Sequence, residues 1–341
     1  MAQWIPIDGD TFVTKENFVF YMFGYEHPKE RVFSFLKYIP LQLKNLFPMR
    51  FLERKWKLES IVLVRPEKLY SAKNFQTMME TFRTNFPHYI YFSPFHGKEV
   101  FSSPVESIKR IYVPKNCLQE LIAKKKKDQL EKVAVELAQL LSKESRISLD
   151  NFGIRGSIAL NMHSRKSDID LAIYGSQNFR KLEKTINKLE NEKVLRHIFS
   201  TRLDRLRKHR GRYKDIVFMV NAVRRIEEIT TTYGDYRYVP VKPVTFSCEV
   251  IDDTEAMFRP ATYQIKDYEP LNPVSKLADT EIPKTMVSMI GCYRNVARKG
   301  NKLTVSGTLE KVENIKNGSI YHQVVVGTGK REDEYVWPIQ N

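Results

Sequence analysis

Two short motifs in the middle of the chain carry residues suited to phosphate and metal chemistry. Gly156-Ser157 is followed, after ten residues, by Asp168-Ile169-Asp170. If a strand ends before Gly156 and a helix of about two turns follows over residues 158–164, the free N–H groups of the turn attract phosphate. Gly156 has no side chain to block close approach, and the Ser157 hydroxyl can donate to a phosphoryl oxygen.

The two aspartates are predicted to lie on one strand face. Because Asp168 and Asp170 are two residues apart, their carboxylates project from the same side of the strand and repel each other. Divalent cations shared with triphosphate oxygens relieve that repulsion, and two Mg²⁺ ions are the expected pair. The motifs therefore predict a metal-dependent site for a nucleoside triphosphate.

The flanking segments predict the elements that position these motifs. Short apolar runs in residues 1–115 predict strands, and residues 71–86 repeat apolar side chains at helical spacing. Residues 116–143 predict one or two helices. Apolar and polar residues alternate over 243–252, which predicts a strand, and residues 302–329 predict a hairpin that turns at Asn317-Gly318.

These elements predict an α+β protein with three domains. A small N-terminal α+β domain is expected over residues 1–115 and a central domain, with a mixed sheet flanked by helices, over 116–257. A C-terminal β domain is expected over 258–341. The length of 341 residues and the hydrophobic share of 42% provide enough apolar material for two or three packed domains.

Composition disfavours several classes of protein. Neither a long apolar run nor the blocks of a secretory signal are present, so we expect a cytoplasmic protein that does not bind membranes. The oligomeric state is left open. The three cysteines are too few and too scattered for a disulfide framework or a structural zinc site.

Positive charge is concentrated around the motifs. The net charge is +16, and residues 151–240 carry 19 basic and 10 acidic side chains, whereas residues 241–341 carry 13 of each. A basic field of this kind favours polyanionic partners. The alternative is that the lysines and arginines serve solubility only.

The densest basic stretch lies between Lys193 and Lys214, with nine basic residues and one acidic residue. Its periodicity predicts a helix that continues to Gly211. As a nucleic-acid-binding face, this helix would use Arg202, Arg205, Lys208 and Arg212. A solvated helix face is the alternative interpretation.

The Gly-Ser and Asp-x-Asp motifs resemble the signature of the DNA polymerase beta-like nucleotidyltransferase superfamily. Within it, the chain is similar to an archaeal group of predicted nucleotidyltransferases of uncharacterised function. This likeness runs through residues 24–28, 36–40, 258–265 and 291–312, in addition to the motifs. The resemblance implies a nucleotidyltransferase fold for the central domain.

The resemblance also implies roles for the motif residues and a reaction. Gly156 and Ser157 are expected to contact the triphosphate, while Asp168 and Asp170 are expected to be catalytic ligands of Mg²⁺. A nucleoside monophosphate would pass from an NTP to a hydroxyl, with an RNA end as the favoured acceptor, and pyrophosphate would leave. The alternative is a non-catalytic nucleotide-binding or nucleic-acid-binding protein that retains the fold.

A third carboxylate is expected on a neighbouring strand, as a further catalytic metal ligand. Glu249 is the first candidate because it lies on the more polar face of the strand predicted over residues 243–252. Asp215 is the rival candidate, and Asp252 is a weaker one. Retained catalysis depends on whether one of these residues reaches the aspartate pair.

Overall fold

The computed structural model of the chain describes residues 4–69 and 71–339. Within these residues the chain forms three β-sheets and six α-helices, so the α+β class predicted from the sequence is confirmed. None of the helices in this part of the chain has the length and apolarity that crossing a membrane requires.

The first sheet belongs to the N-terminal region. Its strands are β1 (Thr11–Thr14), β2 (Val19–Met22), β3 (Arg31–Pro40), β4 (Trp56–Leu58), β5 (Ile61–Val64), β6 (Ile90–Ser93), β7 (Lys98–Pro104) and β8 (Ile108–Tyr112). The main order is β4-β5-β3-β2-β1-β8, and β7 joins β6 to β3. The long strand β3 alternates half-buried and buried residues over most of its length, so one of its faces is directed away from the N-terminal core.

Helix α1 (Ala72–Asn85) covers the N-terminal sheet and confirms the helix predicted over residues 71–86. The Ser71 side chain caps its first turn by accepting a hydrogen bond from the backbone N–H of Asn74. Met78, Met79 and Phe82 are buried on one face. They join an aromatic core in which Phe18 lies 5.0 Å from Phe82 between ring centroids.

The second sheet holds the Gly-Ser and Asp-x-Asp motifs. Its strands are β9 (Phe152–Arg155), β10 (Ile169–Tyr174), β11 (Arg196–His197), β12 (Arg210–Tyr213) and β13 (Ile216–Val223). They lie in the order β11-β12-β13-β10-β9. Strands β10 and β13 are parallel and the other pairs are antiparallel, which confirms a mixed central sheet.

Helices pack on the central sheet and form its core. They are α2 (Pro114–Ala123), α3 (Gln129–Ser145), the single turn α4 (Gly156–Ala159), α5 (Ser176–Asn191) and α6 (Arg202–Arg207). Helix α3 begins with a capping box between Asp128 and Glu131, and its buried stripe faces Leu171 and Phe179 within one hydrophobic cluster. That cluster also contains Tyr38 of strand β3, so the apolar core is continuous between the N-terminal and central regions.

Two sequence-based predictions about helices are wrong. The helix predicted over residues 158–164 is only the turn α4, because the chain bends at Leu160 and Asn161 takes a left-handed conformation. The helix predicted to continue to Gly211 is divided into α5, β11, α6 and β12. Thr201 opens a new capping box and Lys208 ends that short helix in a left-handed conformation.

The third sheet closes into a barrel. Its strands are β14 (Tyr236–Asp252), β15 (Ala261–Pro270), β16 (Thr285–Ser288), β17 (Lys302–Asn314), β18 (Ile320–Val326) and β19 (Tyr335–Pro338). The order β14-β15-β16-β18-β17 returns to β14 through the β14–β17 pairing, and β19 adds to β17. The hairpin of β17 and β18 and the alternation in β14 were predicted from the sequence and are confirmed.

Strand β14 lies within the range predicted for the central domain, but it pairs with the barrel strands β15 and β17. The division of the chain at residues 115 and 257 stays a prediction, since the hydrophobic cluster around α3 takes in both Tyr38 and Phe258.

Buried polar contacts join the three regions. Arg259, in the loop between β14 and β15, forms an ion pair with Asp8 and donates to the backbone carbonyl of Met22 at 2.7 Å. Both side chains of the ion pair are buried. Arg294, which follows β16, donates to the Asn221 side chain of β13 at 2.6 Å. Removal of one partner of such a pair leaves a buried charge without compensation.

We expect Arg259→Met to lower the free energy of unfolding by about 3–5 kcal/mol, because the buried Asp8 carboxylate would lose its ion pair. Urea unfolding of the full chain measures the change. The matched control is Arg237→Met, which breaks an exposed pair with Glu313 and should change stability by less than about 1 kcal/mol. Equal effects of the two substitutions would contradict the role assigned to Arg259.

Candidate active site

The two motifs meet at one edge of the central sheet. Asp170 is the second residue of β10 and lies opposite Arg155, the last residue of β9. The chain then turns through Gly156, which has a φ of +65°. A Cβ atom at Gly156 would overlap the Asp170 carboxylate, so only glycine lets that carboxylate lie against the turn.

Ser157 and Asp168 complete the part of the site predicted from the sequence. Ser157 is half-buried in the turn α4, and its hydroxyl has no hydrogen-bond partner among residues 4–69 and 71–339. Asp168 precedes β10 and is exposed, whereas Asp170 is half-buried. The structure thus brings Gly156, Ser157 and the aspartate pair together as predicted.

The surroundings of the Asp170 carboxylate disfavour its ionised form. Burial raises its pKa, and the neighbouring charge of Asp168 raises it further. Lys37, Arg155 and Arg65 act in the opposite direction and favour the ionised form. A carboxylate pair of this kind gains from any additional positive charge.

Two of the three cations near Asp170 come from the N-terminal sheet. Lys37 lies on β3 and Arg65 follows β5, so neither belongs to the central sheet. Burial and the charge of Arg65 lower the pKa of Lys37 to about 7. The Lys37 ammonium lies 4.6 Å from the centroid of the Tyr21 ring, and the Arg155 guanidinium lies 6.0 Å from the same ring. These cations line the approach to the aspartates.

Sequence reasoning missed Lys37 and Arg65. They are more than a hundred residues away from Asp170 in the chain, and only strand pairing within the N-terminal sheet brings them to it. Residues 36–40 carried part of the family resemblance, and this was the one signal in the sequence that the strand with Lys37 contributes to the site.

A second pair of acidic side chains lies behind Arg155. Asp8 and Asp10 are both buried, and Asp8 is the largest favourable electrostatic partner of Arg155. Burial raises the pKa of Asp10 to about 7, although it accepts a hydrogen bond from the indole N–H of Trp4 at 2.9 Å. The charges of both Asp8 and Asp170 therefore stabilise the Arg155 guanidinium.

The loop that leads into β10 is tied to the N-terminal region. Arg54 donates to the hydroxyls of Ser164 and Ser167 at 3.2 Å and 3.0 Å. His163 lies 2.8 Å from an Asp128 carboxylate oxygen, at the start of α3. These contacts fix the connection between Gly156 and Asp168, which positions the two motifs relative to each other.

The third carboxylate expected near the pair is not brought there. Glu249 lies on barrel strand β14, and its carboxylate is 3.3 Å from the Lys266 ammonium. Asp252 caps the N–H of Thr254 at the end of the same strand, and Asp215 lies in the exposed turn between β12 and β13. Across the described residues, no three His, Cys, Asp or Glu side chains are grouped so that they could hold a metal ion.

The strand next to β10 explains this outcome. In the parallel register of β10 and β13, Asp170 lies opposite Met219, so the neighbouring position carries a thioether where an acidic ligand was expected. The predicted placement of Glu249 is corrected accordingly, because its strand belongs to the barrel and not to the central sheet.

The residues predicted to bind nucleic acid do not share one helix face. Arg202 donates to the backbone carbonyl of Pro338 at 2.6 Å and lies over the Trp337 ring. Arg212 lies on β12 and donates to the backbone carbonyl of Asp215. Arg205 and Lys208 are exposed. Their binding of nucleic acid stays a prediction, although the short helix α6 and strand β12 take the place of the continuous helix on which it was based.

The residues present fit a magnesium ion that arrives with phosphate. Mg²⁺ is usually bound by one or two carboxylates, with phosphate oxygens and water as its remaining ligands. Asp168 and Asp170 supply two carboxylates, and the mutual repulsion that raises the pKa of Asp170 is relieved by a cation.

Comparisons with known proteins concern the sequence that carries both motifs. Residues 134–228, which contain both motifs, match the sequence model of the nucleotidyltransferase domain. An uncharacterized protein of Methanocaldococcus jannaschii is 26% identical to this chain in an alignment that covers 96% of the chain and 97% of the relative. No solved structure matches the chain significantly. The resemblance drawn from the motifs is confirmed.

We expect Gly156→Ala to destabilise the protein and displace the Asp170 carboxylate. The matched control is Gly24→Ala, because Gly24 also has a positive φ but no atom lies within 4 Å of a Cβ placed there. The left-handed backbone alone costs roughly 1–2 kcal/mol, and Gly156→Ala should exceed that cost through its clash. Urea unfolding of both variants measures the difference, and indistinguishable values would refute the close approach.

The raised pKa of Asp10 predicts a pH dependence of stability. Between the unfolded pKa of about 3.9 and the folded value of about 7, the folded chain binds more protons, so stability falls as the pH rises. Urea unfolding at pH 5 and pH 8 should show that wild type loses about 3 kcal/mol relative to Asp10→Asn. The matched control is Asp150→Asn at an exposed position, which should show the same change in stability between pH 5 and pH 8 as the wild type. Parallel pH profiles of wild type and Asp10→Asn would contradict this assignment.

Proposed function

The central part of this chain is a nucleotidyltransferase domain of the DNA polymerase beta-like superfamily, and from that premise we propose that the protein transfers a nucleoside monophosphate from an NTP to a hydroxyl group. The observation that carries the proposal is the placement of Asp170 against the Gly156 turn with Asp168 beside it. The Ser157 hydroxyl lies in the same turn.

The cations around Asp170 match the charge of a triphosphate. Lys37, Arg65 and Arg155 all favour the ionised form of Asp170, and a metal-bound triphosphate still carries negative charge that the same cations can meet. In the proposed complex, Ser157 and the backbone of the turn donate to phosphoryl oxygens, while Lys37 and Arg65 reach the phosphates from the N-terminal sheet. Arg155 stays paired with Asp8 and supports Asp170 from behind.

The proposed reaction is a displacement at the α-phosphorus of the NTP. An acceptor hydroxyl attacks that phosphorus and releases its proton to water, the bond from the phosphorus to the bridging oxygen breaks, and pyrophosphate leaves with the electron pair. Asp168 and Asp170 would hold Mg²⁺, which stabilises the charge that develops on the phosphoryl oxygens. The proposed acceptor is an RNA end, because positive charge is concentrated in residues 151–240.

A second candidate function is supported by one specific observation. No acidic residue lies opposite Asp170 on β13, where Met219 is found. A protein with this pair of carboxylates alone could bind nucleotide and RNA without turnover. The same fold is therefore compatible with an enzyme and with a binding protein. Substitution of the two aspartates distinguishes them, because only the enzyme needs both carboxylates.

We expect the Asp168→Asn, Asp170→Asn double variant to transfer label at least 100-fold more slowly than wild type, which corresponds to about 2.7 kcal/mol in the barrier. The measurement uses each NTP labelled at the α-phosphate, Mg²⁺ and total RNA. The matched control is Glu249→Gln, which removes a carboxylate paired with Lys266 and should leave the rate unchanged.

Two other outcomes are decisive. No transfer by the wild type, together with RNA retention that weakens with salt and survives the double substitution, would favour the binding protein. A loss of transfer in Glu249→Gln at unchanged stability would show that the carboxylate set differs from the one proposed here.

A further inference from the structure

A cavity of about 240 Å³ lies between the N-terminal sheet and the barrel. Strands β3 and β7 and helix α1 form one side of it, and the segments that follow β16 and β18 form the other. All of its lining residues lie outside residues 134–228. The nucleotidyltransferase domain therefore does not account for this cavity.

The walls of the cavity are aromatic. The rings that line it are Phe23, Phe33, Phe35, Phe75, His96 and Phe101. Edge-to-face contacts hold these rings in place, with 5.8 Å between the centroids of Phe33 and His96 and 5.7 Å between those of Phe75 and Phe101. Fixed aromatic walls favour a planar ring as a ligand.

Two cations without full partners also line the cavity. The Lys98 ammonium makes no hydrogen bond or ion pair to any described residue, and burial lowers its pKa. The charges of Glu310 and Glu334 act on it in the opposite direction, but neither carboxylate is within ion-pair distance. Arg331 directs Nε and Nη2 to Asp333, whereas its Nη1 atom is buried and meets no partner in the part of the chain that the structure describes. Glu99, which also lines the cavity, is already paired with Arg83 at 2.7 Å. An anionic group would satisfy the two cations.

The cavity adjoins the surroundings of Asp170 through one strand face. One face of β3 carries Phe33, Phe35 and Lys37 at every second position. Along the strand, Lys37 is about 7 Å from Phe35 and about 13 Å from Phe33. Lys37 is an electrostatic neighbour of Asp170. The guanidinium of Arg259 lies 4.7 Å from the centroid of the Phe35 ring, between the two places.

We propose that this cavity is an acceptor subsite that binds a planar aromatic group next to a negative charge, namely the base and phosphate of a nucleotide. The assignment as acceptor rests on the proposed function, whereas the binding of a nucleotide does not. A free nucleoside monophosphate and the terminal nucleotide of an RNA carry the same chemistry, and the experiment distinguishes the two.

The test measures binding to the full chain by calorimetry in the presence of EDTA. The probes are the four nucleoside 5′-monophosphates and a short single-stranded oligoribonucleotide. We expect Lys98→Ala, Arg331→Ala to weaken binding at least about tenfold, or about 1.4 kcal/mol, through loss of charge-assisted hydrogen bonds. Phe75→Leu should weaken it through loss of a stacking surface. The matched control is Lys126→Ala, an exposed lysine between α2 and α3 that does not line the cavity.

The aspartate variant separates this proposal from the proposed function. Monophosphate binding that persists in Asp168→Asn, Asp170→Asn and is lost in the Lys98, Arg331 variant supports the subsite, even if no label transfer is found. Binding of the oligoribonucleotide alone, with the same dependence on Lys98 and Arg331, supports it with an RNA end as the source. Absence of binding by any probe, or binding that is unchanged in both cavity variants at unchanged melting temperature, would overturn the subsite while leaving transfer possible.

Discussion

The repulsion between Asp168 and Asp170 is the constraint on which the rest of the site depends. A half-buried carboxylate beside a second one is unfavourable unless positive charge is near. Arg155 supplies part of that charge from the adjacent strand, and Lys37 and Arg65 supply the remainder from the N-terminal sheet. The N-terminal region is therefore part of the candidate site and not an appendage to it. One hydrophobic cluster spans Tyr38 and Leu171, and this packing holds strand β3, which carries Lys37, against the central sheet.

The same charge balance extends to the barrel. Arg155 compensates Asp170 on one side and Asp8 on the other, and Asp8 is paired with Arg259 of the loop between β14 and β15. Acidic and basic side chains thus alternate from the central sheet through the N-terminal segment to the barrel. Buried charges of this kind require all of their partners, because removal of one leaves another uncompensated. Folding of the three regions is consequently expected to be interdependent, which a chain of separate domains on flexible linkers would not show.

Local patterns predicted local structure. The apolar spacing of α1, the alternation in β14 and the turn at Asn317-Gly318 each act over a few residues, and each is found. The closeness of Gly156 and Asp170 could also be predicted from the sequence, because a short loop joins the two motifs and Arg155 pairs with Asp170 in the neighbouring strands. The positions of Lys37 and Arg65 near Asp170 could not be predicted from the sequence, since they depend on contacts between segments that are far apart in the chain. The helix predicted to reach Gly211 failed for a different reason: hairpin pairing of β12 with β13 overrides the helical periodicity of its charges.

The placement of Met219 opposite Asp170 has a consequence for how metal and nucleotide would bind. Two carboxylates provide at most a few of the oxygen ligands that Mg²⁺ requires, and the remainder must come from phosphate and water. Without the triphosphate, a cation gains little beyond relief of the aspartate repulsion. Without the cation, the triphosphate meets two negative side chains. Each ligand therefore strengthens the binding of the other by the same factor. With a third carboxylate on β13, the cation could bind before the nucleotide arrived. With a thioether there, the proposed site would bind the cation and the triphosphate as one complex.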